Sequence, residues 1–313
     1  MNKKSLTILA LSLATAMGMS AQSRILTILE ANTDARSAAM GNTMLGNSDQ
    51  MNIYSNPAAL TFGDRTLRAD ATMEVYPKAE NGRLMQYNVA GGYRFKNGSA
   101  LMAGFRYQNG LTVEAVNSEN PGARLRPHEM TLDLGYSFAV TKEVAVYVTG
   151  TYAKSHQATS TEAWAFSVGA AYQKPFSLSS MPTVLTVGAR LMDLGKSVKF
   201  DDAGLFHSLP TSVVLGGDWG VALTDEHKLT YALSCRYFTP KDAHETLVGT
   251  GLEYTYNKMV SARVGYQFAD QGSDEFTCGL GGEYAGFKLN LSYNHAFSFY
   301  GLDTFMVGVG YSF

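Results

Sequence analysis

From about residue 67 to the end of the chain, large apolar residues alternate with small or polar ones. The last segment, FMVGVGYSF (305–313), places an aromatic or branched residue at every odd position. Successive side chains of an extended strand point to opposite faces, so each such segment has one apolar face and one small or polar face. This period of two predicts fourteen strands, at 67–76, 84–95, 100–108, 129–139, 144–154, 163–173, 183–192, 211–222, 228–238, 246–256, 259–268, 275–285, 287–297 and 303–313.

The apolar faces have the length that a membrane strand requires. In the strand at 287–297, the odd positions are apolar from Phe287 to Tyr293, and the even positions between them are polar. Strands that cross an outer membrane have about 9–11 residues, the same alternation, and aromatic residues at both interfaces. A membrane barrel is therefore favoured over a large secreted β-protein, which is the alternative.

The connections between the predicted strands alternate in length. Those after even-numbered strands are tight, such as 257–258 and 285–286, with a longer one expected around 175–182. Those after odd-numbered strands are longer and more polar, most clearly 109–128 and 193–210. Outer-membrane barrels have short periplasmic turns and longer outer loops, and a soluble Greek-key sandwich has no reason to show this alternation. The fold predicted is all-β, a 14-stranded antiparallel transmembrane β-barrel in the outer membrane.

Both ends of the chain carry targeting features. Lys3 and Lys4 precede the apolar run LTILALSLATAMGM, which is typical of a secretory signal with cleavage after Ala21. An uncleaved membrane helix is the alternative, but the run is shorter than the roughly 20 residues that a span needs. The terminal aromatic Phe313, on the lipid-facing row at the periplasmic rim, resembles the signal that passes barrels to the assembly machinery. The expected division is a signal peptide at 1–21, a plug or hatch segment at 22–66 and the barrel at 67–313.

The segment ahead of the first strand does not follow the strand pattern. Asp34 is a candidate N-cap for a short helix that begins at Ala35, and Gly41 is a candidate stop residue. Asn56 and Pro57 indicate a turn. A segment of about this length suits an internal plug of a large barrel, and a loose periplasmic tail is the alternative.

Composition agrees with a barrel and excludes other classes. Charged residues make up 17% of the chain, below the roughly 25% of a soluble domain, and the chain has 31 Gly and 12% aromatics. The mean hydropathy of −0.09 excludes a helical membrane protein, and the net charge of −2 gives no reason to expect nucleic acid. Cys235 and Cys278 fall on apolar faces, where isolated thiols are favoured over a disulfide.

The inward faces combine charges of both signs with many small residues. Confined charges should pair with each other or contact water, and mutual neutralisation is the simplest interpretation of them. The small residues leave room for water, a ligand or the plug. Parity places these charged residues inward: Arg94, Arg106, Asp133, Arg190, Asp218, Arg236, Glu253, Arg263, Glu283 and Lys288.

The sequence offers no catalytic, cofactor or metal motif. The six histidines have no fixed spacing to a serine or a carboxylate, and no HExxH, CxxC pair or phosphate-binding glycine loop occurs. An outer-membrane enzyme such as an acyl hydrolase is therefore not expected, and no cofactor is expected.

Two stretches, DARSAAMGN (34–42) and YSNPAAL (54–60), resemble the amino-terminal signature of the PorV/PorQ family, which belongs to the FadL-like barrels. Further likeness to the PorV branch runs through 126–156 and 191–238. The resemblance implies fourteen strands and an N-terminal plug. The signature residues that carry it are Asp34, Arg36, Met40, Gly41, Asn56 and Pro57.

The resemblance also implies a role in the type IX secretion system of Bacteroidota. Members of the family bind the carboxy-terminal signal domain of exported cargo and carry it to an attachment complex at the cell surface. The partners it implies are secretion components and cargo signal domains, alongside outer-membrane lipid. The alternative function is a FadL-like transporter or channel for hydrophobic small molecules, by analogy with the wider fold group.

Overall fold

Fourteen antiparallel strands close into one barrel, and two short strands form a separate hairpin. This computed structural model describes residues 24–48, 50–115, 123–157, 159–199, 207–241, 243–297 and 302–313. The strands are β1 Leu67–Ala79, β2 Gly82–Arg94, β3 Ala100–Leu111, β4 Val113–Ala115, β5 Ala123–Leu125, β6 His128–Ala139, β7 Val144–His156, β8 Ser160–Leu178, β9 Met181–Gly195, β10 Ser212–Ala222, β11 His227–Phe238, β12 Glu245–Tyr256, β13 Val260–Ala269, β14 Glu275–Tyr284, β15 Phe287–Ala296 and β16 Thr304–Ser312.

The barrel strands follow one another in chain order, and the first pairs with the last. Arg68 on β1 lies opposite Ser312 on β16, and the ladder continues to Val75 opposite Phe305. The hairpin of β4 and β5 stands between β3 and β6. The predicted closed barrel of fourteen antiparallel strands is confirmed.

The wall has its apolar face outside and its polar face inside. On β6, Leu132 and Leu134 are 52% and 65% exposed, whereas Thr131 and Asp133 are buried. Exposed aromatic, leucine and valine side chains recur around the barrel, which is the surface that a lipid bilayer covers. Cys235 and Cys278 lie on this outward face as free thiols.

The hairpin of β8 and β9 differs from the prediction. The expected long connection around 175–182 is wrong, because β8 continues to Leu178 and only two residues, 179–180, separate the strands. Beyond Tyr172, β8 has no register with β7 and pairs only with β9. Pro175 and Pro182 lie in this stretch, where a missing N–H disturbs no second ladder.

The two long connections differ in structure: one contains a hairpin and the other an isolated bridge. The connection predicted at 109–128 contains the hairpin of β4 and β5, and residues 116–122 fall outside the described residues. In the connection predicted at 193–210, Val198 bridges His207 and Leu209 is buried, while 200–206 fall outside the described residues. The predicted signal peptide at 1–21 also lies outside them.

Residues 24–66 fill the lumen as a plug of short helices. A 3-10 helix spans Thr27–Leu29, and the α-helices are α1 Ala35–Ala38, α2 Asn52–Ser55 and α3 Ala58–Phe62. None of the helices in the described part of the chain is long and apolar enough to span a bilayer. Most of the largest fully buried apolar side chains in the described residues lie here, including Ile28, Met40, Met51, Ile53 and Leu60.

The inward glycines of the wall are where the plug rests. A Cβ at Gly251 or Gly265 would collide with the plug backbone at Met40, and one at Gly216 would lie 2.6 Å from the carbonyl oxygen of Met44. The wall and the plug backbone therefore meet at a distance that only glycine allows. The space that the small residues leave is occupied by the plug.

We expect Gly265→Val to dislodge the plug, because the new side chain overlaps the main chain of Met40 and Gly41. Overpacking of this kind costs about 1–3 kcal/mol. Limited proteolysis of the detergent-solubilised barrel should cut residues 24–66 faster than in the unmodified protein. Gly282→Val is the matched control on the neighbouring strand, since Gly282 faces outward with open space around it. Equal cleavage of both variants would contradict this account.

Candidate functional site

The two ends of the barrel have different connections. The carbonyl oxygen of Phe313 accepts hydrogen bonds from the N–H groups of Thr66 and Leu67 at 2.8 and 3.1 Å, so both barrel termini lie at one end. The same end carries the tight turns, such as 257–259 and 285–286. Short turns mark the periplasmic end of an outer-membrane barrel. The opposite end is the outer end.

An ion cluster ties α1 of the plug to the wall. Both carboxylate oxygens of Glu253 on β12 accept from the guanidinium of Arg36, at 2.8 and 2.9 Å. Arg263 on β13 donates to the same carboxylate at 2.6 Å. All three side chains are shielded from water, where a charge-assisted, bidentate contact is strong. Asp218 on β10 lies 3.9 Å from Arg36 and adds a second negative charge.

Hydrogen bonds extend this cluster through the plug. Arg263 donates to Asn290 at 2.7 Å, and Asn290 donates to the side chain of Gln50. Asp34 accepts from the backbone N–H of Arg36 at 3.0 Å, as an N-cap does, and from Ser48 at 2.7 Å. Burial raises the pKa of the Asp34 carboxyl, and the Ser48 hydrogen bond acts in the opposite direction.

A second cluster lies on the opposite side of the lumen around Asp133 on β6. Arg106 on β3 pairs with Asp133 at 3.0 Å, and the hydroxyls of Tyr54 and Thr151 donate to it at 2.8 and 2.6 Å. Arg106 also lies over the Tyr54 ring, 4.7 Å from its centre. Tyr54 belongs to α2, so this cluster holds a second part of the plug.

Four wall arginines also donate to backbone carbonyls of the plug. Arg190 donates to the carbonyl of Tyr54 at 2.8 Å, and Arg236 donates to that of Glu30 at 3.1 Å. These contacts satisfy plug carbonyls that the short helices leave unpaired. The four pairs are Arg94 with Thr61, Arg106 with Ile28, Arg190 with Tyr54 and Arg236 with Glu30. The inward charges therefore hold the plug as well as neutralising each other.

The other signature residues shape the plug itself. The Asn56 side chain donates to the carbonyls of Leu45 and Gly46, at 3.1 and 2.9 Å, and accepts from the N–H of Ala58. Pro57 occupies the position before α3. Gly41 has a φ of 72° and donates its N–H to Thr277 at 2.8 Å.

Strand parity located some of the inward charged residues, and others were not predicted. Glu283 and Lys288 lie 3.7 Å apart near the periplasmic turn. Glu74 was missed although its parity on β1 indicates an inward position. Asp193 was missed because the predicted strand ended at residue 192, and Arg24 in the plug has no period to reveal it.

A cavity of about 260 Å³ lies on the outer side of the plug. It reaches the outer connections, where Ser273 and Leu302 line it. Its lining contains four arginines and six carboxylates from the wall and the plug. The described residues hold no group of three or more His, Cys, Asp or Glu side chains placed to bind a metal ion. The arrangement suits contact with a polar or charged ligand from the outer end.

We expect Glu253→Gln to lower the free energy of unfolding by about 3–5 kcal/mol, because it leaves Arg36 and Arg263 buried without their shared anion. Urea unfolding in lipid vesicles, followed by tryptophan fluorescence, measures the change. Glu162→Gln is the control: its 2.7 Å pair with Lys154 is exposed, so little change is expected. Equal losses of unfolding free energy in both variants would show that the buried cluster stabilises the protein no more than the exposed pair does.

Comparison with known proteins agrees with this geometry. The Pseudomonas putida toluene transporter TodX superposes with a TM-score of 0.62 at 14% identity, over 93% of this chain and 99% of that one. The Ralstonia pickettii toluene transporter TbuX gives 0.63 at 13%, over 92% and 100%. A Pseudomonas aeruginosa FadL homologue gives 0.59 at 11%, over 90% and 99%.

These likenesses show a FadL-like outer-membrane barrel fold, and at such identity they show the fold alone. No curated protein matches the chain. The family model described as type IX secretion system protein PorV matches residues 20–241. That match includes the whole plug, the four wall arginines that donate to its carbonyls and the first nine barrel strands, β1–β3 and β6–β11. A plugged, 14-stranded outer-membrane barrel with this sequence belongs to the PorV family.

Proposed function

We propose that this protein is an outer-membrane component of type IX secretion that binds a polypeptide, cargo or secretion partner, at its outer end and passes it towards surface attachment. The family match carries the proposal, because the family takes its name from that secretion system. We infer a source organism among the Bacteroidota, which the resemblance of the plug signature supports. The role is one of binding, without catalysis.

The plug supports binding at the outer end over passage through the barrel. Two buried ion clusters and four arginine contacts join it to the wall, and a route through the lumen would require many of them to break. Charges removed from water are costly to separate from their partners. A partner arriving from outside meets the connections of the outer end and the cavity below them.

The cavity gives little support to the alternative of transport of hydrophobic small molecules. Ten charged side chains line it, and a hydrophobic molecule in contact with them would leave those groups without hydration or new partners. Ligand pockets for apolar molecules are lined mainly by apolar and aromatic side chains. The toluene transporters share the barrel architecture, and fold alone does not transfer their substrate.

We expect affinity purification of the tagged protein from outer membranes to recover secretion components and proteins with carboxy-terminal signal domains. Replacing the outer hairpin, residues 113–125, by a short Gly-Ser turn should reduce that recovery. The control replaces the periplasmic turn 257–258 by Asn-Gly. Folding of each variant is checked by its heat-modifiable migration on gels. Recovery of bound hydrophobic small molecules without protein partners would favour the transporter instead.

We infer that Phe313 contributes to recognition by the barrel assembly machinery. Its ring is 58% exposed on the outward face at the periplasmic end. Phe313→Ala should lower the amount of folded protein in outer membranes several-fold, because the terminal aromatic of the signal is lost. Phe305→Ala removes an equally outward ring from the other end of β16 and should change it little. Equal yields of the two variants would argue against a terminal signal.

A further inference from the structure

Two carboxylates of the outer cavity have only neutral partners. Glu74 on β1 accepts a hydrogen bond from the hydroxyl of Tyr76 at 3.1 Å. Glu275 on β14 accepts from the side-chain amide of Asn42 at 3.0 Å. Both line the cavity, and neither forms an ion pair with a described residue. Carboxylates removed from water normally have a cation beside them.

The other charges of the cavity lining, four arginines and four carboxylates, cancel in number. Arg24 pairs with Glu30 and Glu245, at 3.1 and 2.7 Å. The pairs of Arg106 with Asp133 and of Arg236 with Asp193 account for two more arginines, and Arg190 donates to plug carbonyls and to Thr149. The excess of two negative charges in the lining therefore falls on Glu74 and Glu275.

An unsatisfied amide oxygen lies in the same part of the wall. Asn294 on β15 is 7% exposed, lines the cavity, and donates its amide N–H to Glu275 at 3.4 Å. Its side-chain oxygen, Oδ1, is buried and accepts no hydrogen bond. A buried acceptor without a donor is costly, so its presence indicates a donor that arrives with a ligand.

These groups share one stretch of wall. Thr304 on β16 lies directly opposite Asn294 in the register, and Met306 lies opposite Glu74. Glu275 lies opposite Ala296, which follows Asn294 by two residues on β15 and shares its face of the wall. The three acceptors thus come from β14, β15 and β1, with β16 between the last two, all towards the outer end, where the cavity reaches the outer connections.

We propose that Glu74, Glu275 and Asn294 bind the ammonium group of a lysine side chain carried by a polypeptide partner. This inference rests on the proposed function, which supplies a polypeptide at the outer end. An ammonium has three donors and no acceptor, which matches two carboxylates and one amide oxygen. A guanidinium favours a bidentate carboxylate, whereas each carboxylate here already accepts a neutral donor.

The cavity volume and the number of oxygen acceptors favour a lysine side chain over a whole small molecule or a calcium ion. The cavity of about 260 Å³ is smaller than the roughly 300–1,000 Å³ of pockets that enclose a whole small molecule. Calcium takes about 6–8 oxygen ligands, and the site offers fewer acceptors than that. A lysine reaching in from a partner would bring its charge to the carboxylates and leave its backbone at the outer connections.

Calorimetric titration of the full-length barrel in detergent micelles tests this. The probe is the capped peptide acetyl-Gly-Gly-Lys-Gly-Gly-amide, compared with the same peptide carrying acetyl-lysine. The unmodified barrel should bind the lysine peptide and not the acetylated one. The double variant Glu74→Gln/Glu275→Gln should weaken binding at least tenfold, and Asn294→Ala should weaken it less. Glu162→Gln, which removes an exposed acid outside the cavity, should leave it unchanged.

Several results would overturn the inference. They are no binding by the unmodified barrel at millimolar peptide, equal binding of the acetylated peptide, or undiminished binding by the double variant. Tighter binding of calcium, spermidine or an arginine peptide than of the lysine peptide would assign the carboxylates to another cation. A heat-modifiable gel shift confirms that each variant is folded, so a loss of binding is not a loss of the barrel.

The same variants separate this inference from the proposed function. Recovery of secretion partners by the unmodified barrel, without lysine-peptide binding, would leave the proposed function standing and remove the lysine site. Lysine-peptide binding without any recovery of secretion partners would support the lysine site and contradict the proposed function. If both hold, the double variant should also recover less partner protein than Glu162→Gln does.

Discussion

Backbone N–H and C=O groups inside a hydrocarbon layer need hydrogen-bond partners within the protein, because lipid offers none. Pairing β1 with β16 meets this requirement by closing the sheet, so that no strand edge faces the bilayer. Closure also fixes the two faces of every strand. One face contacts lipid and carries the large apolar residues, and the other encloses a lumen that must be filled.

The filling of the lumen follows from this arrangement. The wall presents polar and charged groups inward, and charges held away from water need partners. The plug supplies Arg36 to Glu253, Tyr54 to Asp133, and backbone carbonyls to the wall arginines. Inward glycines bring the two backbones close enough for such contacts. An ordinary soluble domain has a large apolar core. This protein has only a small one, formed within the plug and between the plug and the wall.

A common architecture can serve different tasks because the barrel supplies a frame and the lumen supplies the chemistry. The toluene transporters and this chain share the barrel fold at low identity. In this chain the cavity left above the plug is rich in charge, and most of its charges are paired. Glu74 and Glu275 are carboxylates without a described cation beside them, and they leave the lining with an excess of negative charge.

The sequence by itself determined the faces of the strands. A period of two needs no tertiary information, so parity alone places Arg106, Arg190 and Arg263 inward. Turn chemistry was less informative: prolines at 175 and 182 suggested a break that the hairpin of β8 and β9 does not have, because only one ladder continues there.

Only the tertiary structure decided which inward groups meet. Arg36 and Glu253 are 217 residues apart, and their contact depends on how the plug crosses the lumen. Asp193 has a φ of 55° near the outer end of β9, outside the regular alternation, so no period marks it. Whether a buried carboxylate such as Glu74 has a cation depends on every element around it. Sequence patterns record the orientation of a side chain, whereas its partner is set by the closure of the barrel and the path of the plug.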